Sequence, residues 1–262
     1  VSAGALVTTI PHSGEEIPAD GDWLAGIPEA VLLTDVDRFV DRLYSDALAA
    51  LGIPSVVARA HRYVADLNRL PEDVDADSVE GSPNPSGKFP KGFHWVVTTR
   101  GERLMRAPIS RERHERIVAL HHDAFHAEVA RMRASARAPG RELFHLDLHS
   151  MPSRGTAAHA DAGAARPDAV ISDLEGRSCS ARLRAAVVGA YEAEGFRVSV
   201  NWPYKGGRIT ERYGRPAEGA HAIQIELNRA LYMDEVTREA LPDFGGIPAR
   251  LARALHRIQR EN

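Results

Sequence analysis

Two histidines and four carboxylates carry the chemistry this chain could perform. In Phe144-His145-Leu146-Asp147-Leu148-His149-Ser150-Met151-Pro152, Phe144, Leu146 and Leu148 alternate as a short strand does, and Ser150 and Pro152 end it. Alternation puts Asp147 and His149 on one face near the strand's C-terminal end, where open α/β sheets gather ligands. A histidine there, with a carboxylate two residues earlier to orient its ring, suits a metal ligand. His12 also lies just past a β-rich run, Ala5 to Ile10, in the turn Pro11-His12-Ser13-Gly14.

A catalytic zinc site takes three protein ligands and leaves a position for water, and two histidines with a carboxylate form a known set. Glu15 and Asp37 compete for the third place. Glu15 completes His12-x-x-Glu15, a compact pair at ligand spacing, and spacing alone favours it. Asp37 heads the helix that follows, where a carboxylate is also favoured by the helix dipole. Glu226 lies within the apolar strand Ala222–Leu227, between Ile225 and Leu227. An acid there is costly unless it faces a polar site or a partner. Beside a metal it suits a general base of raised pKa; the plainer alternative is an ion pair with Arg229 or another basic residue on a sheet face. Asn68-Arg69 offers an amide and a fixed cation for a substrate carboxylate.

The elements that position these residues alternate along the chain. Strands are expected at 5–10, 55–60 with 64–67 as continuation or partner, 144–148, 169–171, 196–200 and 222–227. Helices are expected at 37–51, 111–133, 178–194 and 248–259, from their apolar spacing and from Gly52 and Gly195 as stops. The histidines His114, His121, His122 and His126 on the second helix read as a solvated face, since no carboxylate converges on them. Residues 70–92 lack apolar periodicity and read as a long surface loop. Lys205-Gly206-Gly207 reads as a turn where backbone can approach a ligand closely. The alternation predicts an α/β sandwich around a mixed, largely parallel sheet, as one domain over residues 1–262.

Composition narrows the function classes. Twelve histidines stand against one cysteine, Cys179, which excludes an internal disulfide and a CxxC metal site. A net charge of -3, without a basic run, gives no electrostatic case for nucleic acid. No apolar stretch reaches the roughly 20 residues of a membrane span, and no secretory pattern opens the sequence. A reducing cytoplasm is the expected setting.

Five motifs in order extend the reading: Pro11-His12-Ser13-Gly14, Asp66-Leu67-Asn68-Arg69, Asp147-Leu148-His149-Ser150, Lys205-Gly206-Gly207-Arg208-Ile209-Thr210 with Tyr213-Gly214, and Glu226 through Glu235. Together they resemble the N-formylglutamate amidohydrolases over nearly the whole chain. That family is in turn similar to the zinc carboxypeptidases in its asparagine-arginine pair, its histidine-serine motif and its strand-borne glutamate. The resemblance implies a three-layer α/β/α sandwich of the zinc-exopeptidase type and one Zn2+ per chain. It moves the third ligand from Glu15 to Asp37, because an aspartate recurs at that helix head in the family while the position of Glu15 varies. The implied set is then His12, Asp37 and His149, with Glu15 as rival.

The implied reaction is deformylation of N-formyl-L-glutamate to formate and L-glutamate. Glu226 is its base, and Arg62 shares the substrate carboxylate or stabilises the oxyanion. Asn68 and Arg69 hold the substrate, with Arg208, Thr210, Arg212 and Tyr213 closing over its amino-acid part. Glu211 stands where many members carry a basic residue, so another N-acyl amino acid or a peptide is the alternative substrate. A metal-binding or ligand-binding protein without turnover is the alternative class.

Overall fold

The central strand has both faces covered and only one of them apolar. β3 (Leu143–Met151) is buried along all nine residues in the computed structural model, which describes residues 4–261. Its neighbours are β1 (Ala5–Ile10) and β6 (Ala220–Asn228), both parallel to it. β2 (Ser55–Val57) pairs parallel with β1, β4 (Ala169–Ser172) antiparallel with β6, and β5 (Val198–Val200) parallel with β4. The order is β2-β1-β3-β6-β4-β5, the mixed, largely parallel sheet of an α/β fold.

Two apolar layers cover this sheet. On one face Phe144, Leu146 and Leu148 join Ile223, Ile225 and Leu227 in a core with α2 (Val40–Leu51), α5 (Ala181–Ala193) and α7 (Ile247–Glu261). The buried residues of α7 are Ile247, Leu251, Ala254, Leu255 and Ile258, the one-sided stripe of a helix that packs on a core. The opposite face carries His145, Asp147 and His149, all buried. It is roofed by α3 (Arg111–Ile117), α4 (Ala124–Ala136), α6 (Arg208–Tyr213) and the long segment 58–109. A short helix, α1 (Glu29–Leu32), sits in the loop before α2.

Several expectations are corrected. The helix expected at 111–133 is broken by a π-helical turn at Val118–Asp123. The wider turn inserts a residue into the helical phase, so the stripe that includes Ile117 continues at His122, while Leu120 is 56% exposed. His122 and His126 are therefore buried, and His114, ahead of the turn, is buried too, so these three do not form a solvated face. His94 Nε2 meets His114 Nδ1 at 2.9 Å, and His126 lies between the Tyr213 hydroxyl at 2.8 Å and the Leu67 carbonyl at 3.1 Å.

Residues 70–92 are not a plain surface loop. Val74, Asp75, Ser78 and Val79 are buried, and the Asp75 carboxylate accepts the Phe89 amide at 2.7 Å, which ties the excursion to itself. Residues 64–67 form turns rather than a strand, and the second strand stops at Val57. Among the described residues, no helix is long and apolar enough to cross a membrane.

Candidate active site

Parallel pairing brings the ends of β1, β3 and β6 to one edge. The register sets Thr9 opposite Asp147 and His149 opposite Glu226, so these side chains share a face. His12 follows two residues beyond β1. Its turn presses against the chain after β2: a Cβ on Gly14 would come within 2.4 Å of the Arg59 carbonyl oxygen, so glycine alone permits the approach. The loop before α2 then folds back on this turn, with the Asp37 amide donating to the His12 carbonyl at 2.9 Å. Asp37 precedes the helix proper, which begins at Val40.

His12, Asp37 and His149 thereby converge. Each offers a ligating atom, and these atoms lie within 4.8 Å of one another. The Asp37 Oδ2 is 3.6 Å from His12 Nδ1 and 3.1 Å from His149 Nδ1. Both rings thus turn Nδ1 inward and anchor Nε2 on an aspartate: His12 on Asp66 and His149 on Asp147, each at 2.8 Å. A carboxylate behind each imidazole fixes its tautomer and ring orientation, which is how protein sites prepare histidine for a metal. Two imidazole nitrogens and a buried carboxylate fit a divalent first-row ion, so this cluster could hold one.

The anchoring carboxylates are themselves held. Asp66 Oδ2 accepts from Arg62 Nη2 at 2.9 Å and from the Trp95 indole at 3.0 Å. Asp147 Oδ1 accepts from the Thr9 hydroxyl at 2.7 Å. The second Asp37 oxygen accepts from Arg229 Nη2 at 3.0 Å and Ser150 Oγ at 3.3 Å. Burial pushes the Asp37 carboxyl upward, but its interactions with His12 and His149 outweigh it and hold it well below the usual range. Asp66 behaves likewise, with the charges of His12 and Arg62 overcoming its burial.

Glu226 is different. It is buried, and Gln224 Nε2 donates to its Oε1 at 2.7 Å. Burial, opposed by the charge of His149 and reinforced by that of Asp37, raises its carboxyl to about 7. Arg229 does not form the ion pair that the alternative reading of Glu226 named: it is spent on Asp37, Ser150 and the Thr34 carbonyl.

These groups line a cavity of about 290 Å³, with His12, Asp37, His149 and Glu226 beside Arg62, Asn68 and Arg69. Arg62 lies 4.7 Å over the Trp95 ring and donates to the Asp35 carbonyl, and its buried Nε has no partner among the described residues. Arg69 is steadied by the carbonyls of Lys91 and Asn68. Lys91 also lines the cavity, and neither cation has a carboxylate partner among the described residues. Asn68 Oδ1 accepts the Ile209 amide at 2.8 Å, and a Cβ on Gly207 would lie 2.2 Å from Asn68 Nδ2. The close approach expected of the glycine turn is therefore made to Asn68, and Gly206 and Gly207 reach the cavity wall beside it.

The remaining sequence-derived candidates lie off this cavity. Glu15 is bonded to Arg38 at 2.9 Å on another surface. Arg208 pairs with Glu211 at 2.6 Å. Thr210 is buried, donating to the Gly207 carbonyl and accepting the Gly207 amide. Arg212 is exposed, and Tyr213 bonds His126. Sequence reasoning missed Lys91, Gln224, His159 and Tyr204 as lining residues, and Arg229 as the holder of Asp37. Gln224 alone carried a signal, two residues before Glu226 on the same strand face.

An α/β sheet that presents two histidines, an aspartate and a buried glutamate to a cation-lined cavity defines the class, a hydrolase whose centre could hold a metal. The chain belongs to the N-formylglutamate amidohydrolase family, whose family model matches residues 4–233. It is 35% identical over 237 residues to an N-formylglutamate deformylase of Pseudomonas aeruginosa, covering 88% of this chain and 82% of that one. A deformylase of the same name from Pseudomonas putida is 34% identical over 238 residues, with the same coverage. The crystal structure of N-formylglutamate amidohydrolase from Ralstonia eutropha JMP134 superposes with a TM-score of 0.86 at 29% identity, covering 99% of this chain and 94% of that one. A gene product of Agrobacterium tumefaciens shares the fold, with a TM-score of 0.68 at 20% identity and coverage of 97% and 90%.

Proposed function

We propose that the chain, as one catalytic domain over its 262 residues, is a zinc-dependent amidohydrolase that converts N-formyl-L-glutamate to formate and L-glutamate. The observation that carries this is the convergence of His12, Asp37 and His149 with Glu226 in one cavity. Zinc, when bound by the two Nδ1 atoms and Asp37, supplies a Lewis acid that acidifies water and polarises an acyl carbonyl.

The rest falls to side chains. Glu226, raised to about 7 by burial, takes a proton from the attacking water and passes it to the departing amine, and a base near the working pH is efficient at both. Gln224 keeps one Glu226 oxygen engaged and leaves the other for the proton. Arg62, fixed by Asp66 and Trp95, serves the oxyanion of the tetrahedral state.

The substrate assignment rests on charge. Glutamate carries two carboxylates, and the cavity supplies two cations without carboxylate partners, Arg69 and Lys91. Each carboxylate takes one of them by a charge-assisted hydrogen bond. The two Pseudomonas relatives, both called N-formylglutamate deformylases, support the same substrate. Roles for Arg208, Thr210, Arg212 and Tyr213 at the substrate are not retained, because none of them lines the cavity. The test is formate release from a panel of N-formyl amino acids. N-formylglutamate is expected to be preferred over N-formylglutamine and N-formylmethionine, and equal rates on all three would overturn the two-cation assignment.

A further inference from the structure

Behind His149 runs a line of buried polar groups that the reaction itself does not use. From α4, Arg133 Nη1 meets His145 Nδ1 at 3.1 Å. His145 Nε2 meets Thr9 Oγ1 at 2.9 Å, and the Thr9 hydroxyl meets Asp147 Oδ1 at 2.7 Å. Asp147 Oδ2 then meets His149 Nε2 at 2.8 Å. His145, Thr9 and Asp147 are each 0% exposed, so no water competes for these bonds.

Only one direction satisfies all of them. A guanidinium has donors and no acceptor, so the His145 Nδ1 that faces Arg133 must accept. Burial drives the His145 pKa down to about 3, which keeps the ring neutral with its single proton on Nε2. That proton is donated to Thr9, whose own hydroxyl hydrogen is left for Asp147. Asp147, a pure acceptor, takes a hydrogen bond from His149 Nε2, and Nδ1 of His149 is left facing Asp37, where it can exchange its proton for a metal.

We infer that Arg133, His145 and Thr9 are positioning residues that orient Asp147 and so hold the proton on His149 Nε2, and that the guanidinium on α4 thereby prepares a ligand on β3 for its metal. Arg133 is itself oriented by the Tyr213 carbonyl at 3.0 Å and by the Tyr213 ring, 4.8 Å from its guanidinium carbon. Tyr213, placed off the cavity, thus touches the site through this line. The inference rests on His149 being a metal ligand, as proposed above.

The test uses metal-free and zinc-titrated full-length protein with 15N-labelled histidine, as wild type, Thr9→Val, Thr9→Ser and Arg133→Met. In metal-free wild type His145 is expected as the neutral Nε2–H tautomer by 15N NMR, and in the zinc-loaded protein His149 is expected to keep its proton on Nε2. Arg133→Met should release the His145 preference. Thr9→Val should raise the zinc Kd, read by chelator competition, by about 10–100-fold, the usual cost of losing an outer partner. Thr9→Ser should restore it, which separates a lost hydroxyl from a packing defect. A proton on Nδ1 of His145 in the wild type, or an unchanged zinc Kd in Thr9→Val, would overturn the inference. If wild type binds no zinc, the metal reading fails, and the His145 tautomer of the metal-free protein still decides the polarity of the line.

Discussion

At the scale of residues, Asp37 and Glu226 show how environment divides the work between two buried acids. Asp37 is surrounded by His12, His149 and Arg229 and stays ionised. Glu226 receives one neutral amide hydrogen and is raised to about 7. Glu226→Gln keeps shape and polarity but cannot accept a proton, so kcat for N-formylglutamate should fall by about 10²–10⁴-fold, with zinc binding retained. An unchanged kcat would remove Glu226 as base. Because Glu226 must be deprotonated to act, kcat/KM should fall as pH drops through its pKa. Bound zinc attracts the carboxylate and draws that value below 7, so the acid limb should lie at or under pH 7. A rate that rises from pH 7 to 5 would contradict this. Arg69→Met and Lys91→Met each remove one carboxylate partner, worth about 1.5–3 kcal/mol for a charged hydrogen bond. Each should raise KM for N-formylglutamate by about 10–100-fold. The selectivity over N-formylglutamine should collapse in one of the two, and retention in both would place the side-chain carboxylate elsewhere.

At the scale of elements, the π-helical turn between α3 and α4 decides where the histidines go. By adding a residue after Ile117 it swings His122 and His126 inward, next to Phe93, Phe125 and Tyr213. Burial lowers His94, His126 and His145 to about 3 and His61 to about 4. A group whose pKa is depressed on folding stabilises the fold above its unfolded value and loses that contribution as pH falls toward the folded one. Tm should therefore decline from about pH 6.5 down toward pH 4, with His94→Gln showing a shallower decline. A flat Tm over that interval would mean the histidines are not buried neutral.

This arrangement was not legible in the sequence, since an inserted π turn leaves no mark in apolar spacing. The six strands of the sheet, by contrast, were legible to within a few residues, because alternation and turn residues bound them, whereas the apolar run 64–67 reads as a strand and forms turns. Of the site, the strand-borne His149 and Glu226 and the post-strand His12 could be placed, since pleat and chain direction fix them. Lys91 and the arginine-aspartate supports could not. They reach the cavity through contacts such as Arg229 with Asp37, 192 residues apart, and no local pattern encodes such a distance.

At the scale of the whole molecule, the sheet serves as a frame with one apolar face and one polar face. Phe144, Leu146 and Leu148 bind the layer of α2, α5 and α7, while the opposite side chains of β3 hold the His149 network. Ligands that bind only the folded state stabilise it by mass action. Chelation should therefore lower Tm, zinc should restore it, and a double variant of His12 and His149 to alanine should respond to neither. The central claim is that a zinc ion and Glu226 act together on N-formylglutamate. Its most direct test is zinc content and formate release measured side by side on wild type and Glu226→Gln. Expected is about one zinc per chain in both, as three protein ligands to one ion require, with turnover in the wild type alone. Zinc absent from both proteins, or formate released at equal rates by both, would contradict it.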